Sequence, residues 1–552
     1  MLSPRRLASL LILPLIVAGC GRKEQTATGT APKTASPETK VGGPMIWRVG
    51  NGTEPQDLDP QVVTGVPEHK VIMAIFEGLL AENPRDLSPE PGIAERWEVS
   101  ADGLVYTFHL RADAKWSDGT PIDAVTFLRS YQRILTPALA SEYAYLLHYV
   151  RGAKDYNEGK ITDFSQVGFK ARAARTLEVT VNTPTPFLLK LIASHYSWYP
   201  VPLHVIEKFG GMTKKGTAWT RPGNIVASGP FMLKEWRQQQ LISVVRNSQY
   251  WDRARVKLDE IHFLPVENQD TEERMFRTGQ IEMTNELPVA KIDVYRRENP
   301  EALRTDPYLG LYFYRFNHKR PPLNDRRVRR ALALAVDRDS LVKNVVRGGQ
   351  QPAYAITHPD TAGYTPVAKL SGTVEEAKKL LAEAGFPEGR GFPKLELLYN
   401  TSQNHRLIAE AIQQMWRRTL GIDITLRNEE WKVYLDSTDA LNYDLQRGGW
   451  IADYVDPHVF LEIWASKNLN NDTGFSNAQF DALLEEAMRA PDQKARYEIY
   501  QKMDALLVEE LPVLPIYYYT SVKALSPRVK GIYPTLLNNH PYKYIWLETA
   551  AK

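Results

Sequence analysis

The chain has 552 residues, more than one hydrophobic core normally serves, so two or three domains are expected. It is 43% hydrophobic and 24% charged, with a net charge of +3, a balance too mild to point to nucleic-acid binding. Its single cysteine, Cys20, excludes any internal disulfide.

At the start, Arg5 and Arg6 precede "LASLLILPLIVAGC", a short apolar run containing Pro14 that ends in small residues and the cysteine. The tetrad Val17-Ala18-Gly19-Cys20 resembles a bacterial lipobox. That resemblance implies a signal peptide over 1–19, cleaved before Cys20, and a diacylglyceryl group on the cysteine sulfur. No other segment is long and apolar enough to cross a membrane. The mature chain is therefore expected in the periplasm or cell envelope as a membrane-anchored lipoprotein. Residues 20–44 are polar and aperiodic and read as a flexible tether.

Folded structure is predicted from Met45, where "MIWRVGNG" reads as a strand closing on a turn. "LVYTFHLR", "LEVTVN" and "ISVVRN" are short alternating strands. Between them a helix is predicted from about Asp123, with Val125, Leu128 and Ile134 inward. "NDRRVRRALALAV" places Val328, Ala331, Leu332 and Ala335 at helical spacing, capped by Asn324 or Asp325. "TVEEAKKLLAEAGFP" carries a capping box, Thr373 with Glu376, and stops at Gly385. "LELLY", a helix with Leu407, Ile408, Ala411 and Met415 on one face, and "IDITL" form a βαβ unit with a parallel strand pair. Helices at about 477–489 and 493–510 precede "LPVLPIYYY", a buried strand. The front half thus reads as α+β and the rear as α/β.

Catalytic patterns are lacking. There is no GxSxG, HExxH, Walker A loop or GxGxxG after a strand. The one Ser-x-x-Lys, Ser340 to Lys343, lies in a capped helix and lacks its companion motifs. The 11 His are not at metal-ligand spacing, so neither metal nor cofactor is expected and the chain reads as a binder, not an enzyme. "GGWIADYVDP" raises a separate question: Asp453 stands among Trp450, Ile451, Ala452 and Tyr454, and a carboxylate in such company needs a partner.

Several stretches then agree in order. "NGTEPQDLDP", "GVPE", "FEGLL", "WSDGTPIDAVTFLRSYQRI", "SGPFMLKEW", "RNSQYWD", "GLYFYRFNHKRPPLNDRRVRRALALAVDRD", "LYNTSQNH", "EEWKVYLD" and "GGWIADYVDP" run collinearly from Asn51. Together they resemble extracellular solute-binding protein family 5, in its oligopeptide-binding subgroup. The resemblance implies a mixed α/β, two-lobe periplasmic-binding-protein fold of type II. An extra N-terminal domain is inserted in lobe one (cluster C), and the lobes close by a hinge. The transferred boundaries are 45–76, 203–305 and 519–552 for lobe one, 77–202 for the extra domain and 306–518 for lobe two.

The resemblance also implies site roles. The Asp of Gly-Trp-x-Ala-Asp-Tyr binds the peptide α-ammonium, and Asp453 matches it. His405 and Arg447 match positions that meet peptide carboxylates. Val66 and Gly449 mark the edges that would take an extended peptide as an added strand. Trp431, Trp450 and Tyr143 match aromatic lining positions. Where Thr64 aligns the best-known oligopeptide binders carry an acid, where Ile451 stands a Cys, and near Thr438 an Arg, so side-chain preference does not transfer. The expected partners are a peptide ligand and the membrane subunits of an ABC permease, with no nucleic acid, and the chain is expected to be a monomer. The rival expectations are another cargo (a muropeptide, a nickel chelate or haem), a secreted hydrolase, and an envelope chaperone or adaptor.

Overall fold

The computed structural model describes residues 43–490 and 492–548. Cys20, the expected signal peptide and all but the last two residues of the expected tether lie outside the described residues, as do the last four residues of the chain.

Three sheets of four or more strands organise the described chain. The first runs Ile46–Gly50, Glu260–Leu264, Leu241–Arg246, Phe231–Arg237. Its first pair is parallel although more than 200 residues separate the two strands, so the chain leaves this sheet and returns to it. The excursion contains the second sheet, the antiparallel set Ala94–Val99, Val105–Leu110, Thr176–Thr180, Phe169–Ala173. Helix Ala124–Leu135 packs on it, held at its start by a full capping box between Asp123 and Thr126. Its inward stripe differs from the prediction. Ala124, Phe127, Tyr131 and Ile134 are buried, whereas Val125 is 46% exposed. The aromatic bulk decides this, because Tyr131 needs the interior to meet Phe169 at 4.5 Å.

The third sheet has six strands in the order Gln351–Pro352, Val513–Ala524, Leu303–Phe316, Leu445–Ile451, Leu395–Asn400, Ile424–Glu429. The βαβ unit is present as expected: Leu395–Asn400 pairs in parallel with Ile424–Glu429 through helix Gln403–Leu420. That helix is rotated relative to the predicted face. Ile408, Ala409, Ile412, Trp416 and Leu420 point inward and Leu407 is 43% exposed. Trp416 sets the rotation, since its indole N–H must reach the Leu332 carbonyl at 2.8 Å. Helix Arg326–Leu334 buries the expected stripe and is capped by Asp325. At Val374–Glu383 only half of the expected capping box forms. Thr373 accepts from Glu376 N–H, but the Glu376 carboxylate turns to Arg330 at 3.3 Å.

Two strands of this sheet are unusually long. Leu303–Phe316 and Val513–Ala524 pair antiparallel from Leu303–Ala524 to Arg315–Val513, with a register slip between Pro307 and Leu311. The expected lobe boundaries, at 305/306 and 518/519, fall inside this ribbon. One end lies against Thr284 and Leu287, the other inside the six-stranded sheet. A bulge bends and twists a ribbon locally, and here it lies beside Tyr519.

Candidate functional site

Three parallel strands carry their carboxyl ends to one place. Leu395–Asn400 pairs with Ile424–Glu429 along its whole length, but with Leu445–Ile451 only at Leu397–Leu445 and Leu398–Gln446. Beyond Gln446 the strand Leu445–Ile451 keeps its partner on one side, Leu303–Phe316, and has no strand neighbour on the other among the described residues. Strands that splay at their carboxyl ends open a crevice. Several of the residues singled out above lie on or just beyond those strands: His405 after the first, Trp431 after the second, and Arg447 and Gly449 on the third with Asp453 after it.

The facing wall includes Gly65 and the start of helix Val66–Ile75. Val66, expected as a strand-like edge, is instead the first residue of that helix; the extended residue is Gly65, at φ −90° and ψ 152°. A Cβ on Gly65 would stand 1.9 Å from Glu68 Oε2 and 3.1 Å from Trp431 Cζ2, so glycine is what allows the two walls to approach there. Glu68 is fully buried and burial pushes its carboxyl up to about 7. The Trp431 indole lies beside that carboxyl and draws it down slightly, yet neither Nε1 nor Oε2 makes a hydrogen bond of good geometry.

At Asp453 the partner is neither lysine nor arginine. His195 Nε2 lies 3.3 Å from Oδ1, both side chains nearly buried. The approach is off-axis: neither His195 Nε2 nor Asp453 Oδ2 has a hydrogen-bond partner. Ser194 Oγ donates to the Asp453 backbone carbonyl at 2.6 Å. Tyr143 packs its ring 4.4 Å from that of His195 and donates its hydroxyl to the Thr64 carbonyl at 3.4 Å. Tyr143 thus stands within the site, whereas Trp450 does not. Trp450 lies on the opposite face of its strand from Arg447 and Gly449, is 8% exposed, and gives its indole N–H to Val459.

Arg447 is held by neutral groups. Its Nη2 donates to Tyr519 Oη at 2.5 Å and its Nη1 to Asn400 Oδ1 at 3.3 Å, with the Tyr312 ring 4.8 Å from the guanidinium. No carboxylate lies within ion-pair reach of it among the described residues. Gly449 makes the arrangement possible, because a Cβ there would come within 2.7 Å of Tyr519 Oη and 3.1 Å of Arg447 Nη2. His405 differs from the cation expected of it. Burial, with the Arg447 charge behind it, holds its imidazole well below the usual range, so it is neutral and contacts Tyr312 Oη at 3.5 Å.

Direct contacts close the crevice at both ends. Beside His405, Gln403 and Asp270 exchange two hydrogen bonds, Nε2 to Oδ2 at 2.8 Å and N–H to Oε1 at 3.2 Å, while Asn404 N–H donates to Gln269 at 3.3 Å. Beside Asp453, Tyr149 and Tyr454 each donate to the buried Glu462, at 2.8 and 2.7 Å, and Phe187 stacks on Tyr454 at 4.9 Å. None of Ser194, His195, Gln403, Asp270 or Glu462 was singled out from sequence. Their spacing carries no signal, because each acts through a partner more than 130 residues away, which for Glu462 is the Tyr149 phenol.

Comparison with known proteins follows the same lines. Residues 88–472 match the family model for the middle region of the bacterial extracellular solute-binding proteins, family 5. The chain is 40% identical over 494 residues to the periplasmic oligopeptide-binding protein OppA of Salmonella typhimurium, covering 87% of this chain and 88% of that one. Haemophilus influenzae OppA in complex with RPPGFSPFR superposes at a TM-score of 0.86 and 32% identity, over 92% of this chain and 100% of that one. The Escherichia coli murein tripeptide binding protein MppA also gives 0.86, at 34% identity over 92% and 99%. MppA in its unliganded open form, at the same identity over 92% and 98%, gives only 0.60. The arrangement here is unlike the open one, in keeping with the contacts that close both ends.

Proposed function

The chain belongs to family 5 of the bacterial extracellular solute-binding proteins, a family of binding proteins rather than enzymes, and from that premise we propose that its crevice collects oligopeptides by their two ends. Asp453 takes the α-ammonium and Arg447 the α-carboxylate. Between them the open edge of Leu445–Ile451 offers its backbone to an extended chain. The observation that carries this reading is the pair of opposite charges on and just beyond one unpaired strand edge, neither of them beside a Lys, Arg, Asp or Glu partner among the described residues. Every peptide presents a cation at one end and an anion at the other, so both can be recognised whatever the side chains. A charge-assisted hydrogen bond in a closed site contributes about 1.5–3 kcal/mol. His405 supplies a neutral hydrogen-bonding group at the carboxylate end, and Trp431, Tyr143 and Tyr519 line the walls.

The rest of the reading concerns delivery. Cys20 carries the lipid that tethers the protein to a membrane, and closure presents the loaded form to an ABC permease. No helix among the described residues is long and apolar enough to cross a membrane. Replacing Cys20 by Ser should release the protein from the membrane fraction; retention there would remove the anchor from the account. For the cargo, the test is a thermal-shift titration with a randomised tripeptide pool, the same pool N-acetylated, and the same pool C-amidated. The free pool should raise the unfolding midpoint and each blocked pool should raise it less. Equal shifts with all three would reject recognition of the ends. Murein peptides are the second reading, favoured by the 0.86 superposition on MppA. They also carry a free amine, and mass spectrometry of the co-purified cargo separates the two.

A further inference from the structure

The amine site is built from two bodies. Asp453 leaves the carboxyl end of the Leu445–Ile451 strand, whereas Ser194 and His195 end the helix Leu188–Ser194, some 260 residues earlier and outside the six-stranded sheet. These two adjacent residues touch Asp453 at two points, Ser194 Oγ on the backbone carbonyl at 2.6 Å and His195 Nε2 beside the carboxylate at 3.3 Å. The imidazole has little freedom. It is 2% exposed, stacks on Tyr196 at 4.4 Å and 27°, and meets the edge of Tyr143 at 4.4 Å. Its Nδ1 accepts from Ser197 N–H at 3.2 Å, and in the neutral ring the proton then sits on Nε2, the nitrogen that faces Asp453.

Resting on the peptide reading above, we propose that Ser194 and His195 are positioning residues for the ligand's amine. They turn Asp453 so that Oδ1 meets the imidazole and Oδ2 is left for the ammonium. Three observations converge on this. Asp453 Oδ2 is buried and without a partner, so one acceptor remains for a donor from outside the chain. A carboxyl group rotates easily about its last bond, and a fixed imidazole 3.3 Å from one oxygen restricts that freedom before the ligand arrives. An imidazole beside Oδ1 brings no permanent cation to the site, which a lysine or arginine at the same place would do. Because the donor and the carboxylate come from separate bodies, the oriented carboxylate exists only in the closed arrangement. Amine recognition and closure are then one event.

The test compares H195F, which keeps an aromatic ring but lacks the N–H, with H195Q, whose amide nitrogen can stand where Nε2 stood, and with S194A and D453N. Each is titrated with the randomised tripeptide pool and its N-acetylated counterpart. H195F should weaken the free pool by about fivefold and the acetylated pool not at all, H195Q should restore it to within about twofold, and S194A should lose about twofold. Equal loss for both pools, or no recovery in H195Q, would make His195 a packing residue and overturn the inference. If D453N leaves the free pool's affinity unchanged, the amine reading itself falls and this inference with it. If D453N loses affinity and H195F does not, only the positioning role fails. Should H195F not fold, H195Q and S194A decide the matter by the same ratio of free to acetylated affinity.

Discussion

The two ends of the crevice solve one problem in opposite senses. At one end a carboxylate, Asp453, is attended by a histidine and a serine; at the other a guanidinium, Arg447, is attended by a phenol and an amide. Among the described residues neither charge has a Lys, Arg, Asp or Glu side chain as its ion-pair partner. Some buried charges elsewhere in the same molecule are paired outright, as in Arg133 with Asp59 at 2.6 Å, where both side chains are almost fully buried. The difference separates charges that hold the fold from charges kept for something else: an internal ion pair satisfies itself, while a charge oriented by uncharged or weakly charged partners still has most of its attraction to offer.

That contrast can be broken most strongly at the amine end. Asp453→Asn should weaken binding of free-amine peptides by at least tenfold, about 1.4 kcal/mol, with the unfolding midpoint of the unliganded protein unchanged; calorimetry and thermal melts check the two parts. The other end should respond less, because Tyr519 and Asn400 remain as donors or acceptors when the cation goes. Arg447→Gln should cost about fivefold for peptides with a free carboxylate and nothing for their amides, measured in the same titration. Smaller again is the clasp beside His405. Gln403→Ala removes both hydrogen bonds to Asp270 and touches no ligand in the present reading. It should raise the dissociation rate about twofold to threefold in stopped-flow displacement while leaving association unchanged.

The smallest effect tests the neutrality of His405. Burial lowers its folded-state pKa, so below about pH 6.5 the unfolded chain takes up a proton that the folded one does not. The unfolded state then binds more protons, and stability falls as the pH drops through that value. His69 and His148, each pushed down to about 4 by burial, act in the same direction. Urea unfolding at about pH 7.5 and 5.5 should show a smaller loss for His405→Gln than for the wild type; an equal loss would mean that the imidazole is not buried as described.

Much of this was legible beforehand, and the misses have a common cause. Asp453 stood out because an acid among Trp450, Ile451, Ala452 and Tyr454 is anomalous in composition alone. The 326–334 stripe and the 395–429 βαβ unit followed from periodicity. Val125 and Leu407 were placed inward and lie outward, each displaced by one position because a neighbouring aromatic, Tyr131 or Trp416, required the interior. Val66 was placed at an edge by the resemblance alone, and the proline that follows it sits in the first turn of a helix.

From sequence alone came the order of the elements, the family, and the charges at either end of one strand, all of which are local in the chain or collinear along it. Only the tertiary structure decided what those charges face. His195 meets Asp453 across 257 intervening positions, Gln403 meets Asp270 across 132, and His405 is neutral because of what surrounds it rather than what it is. Pairing and solvation depend on distances through space, and a linear pattern carries no measure of those.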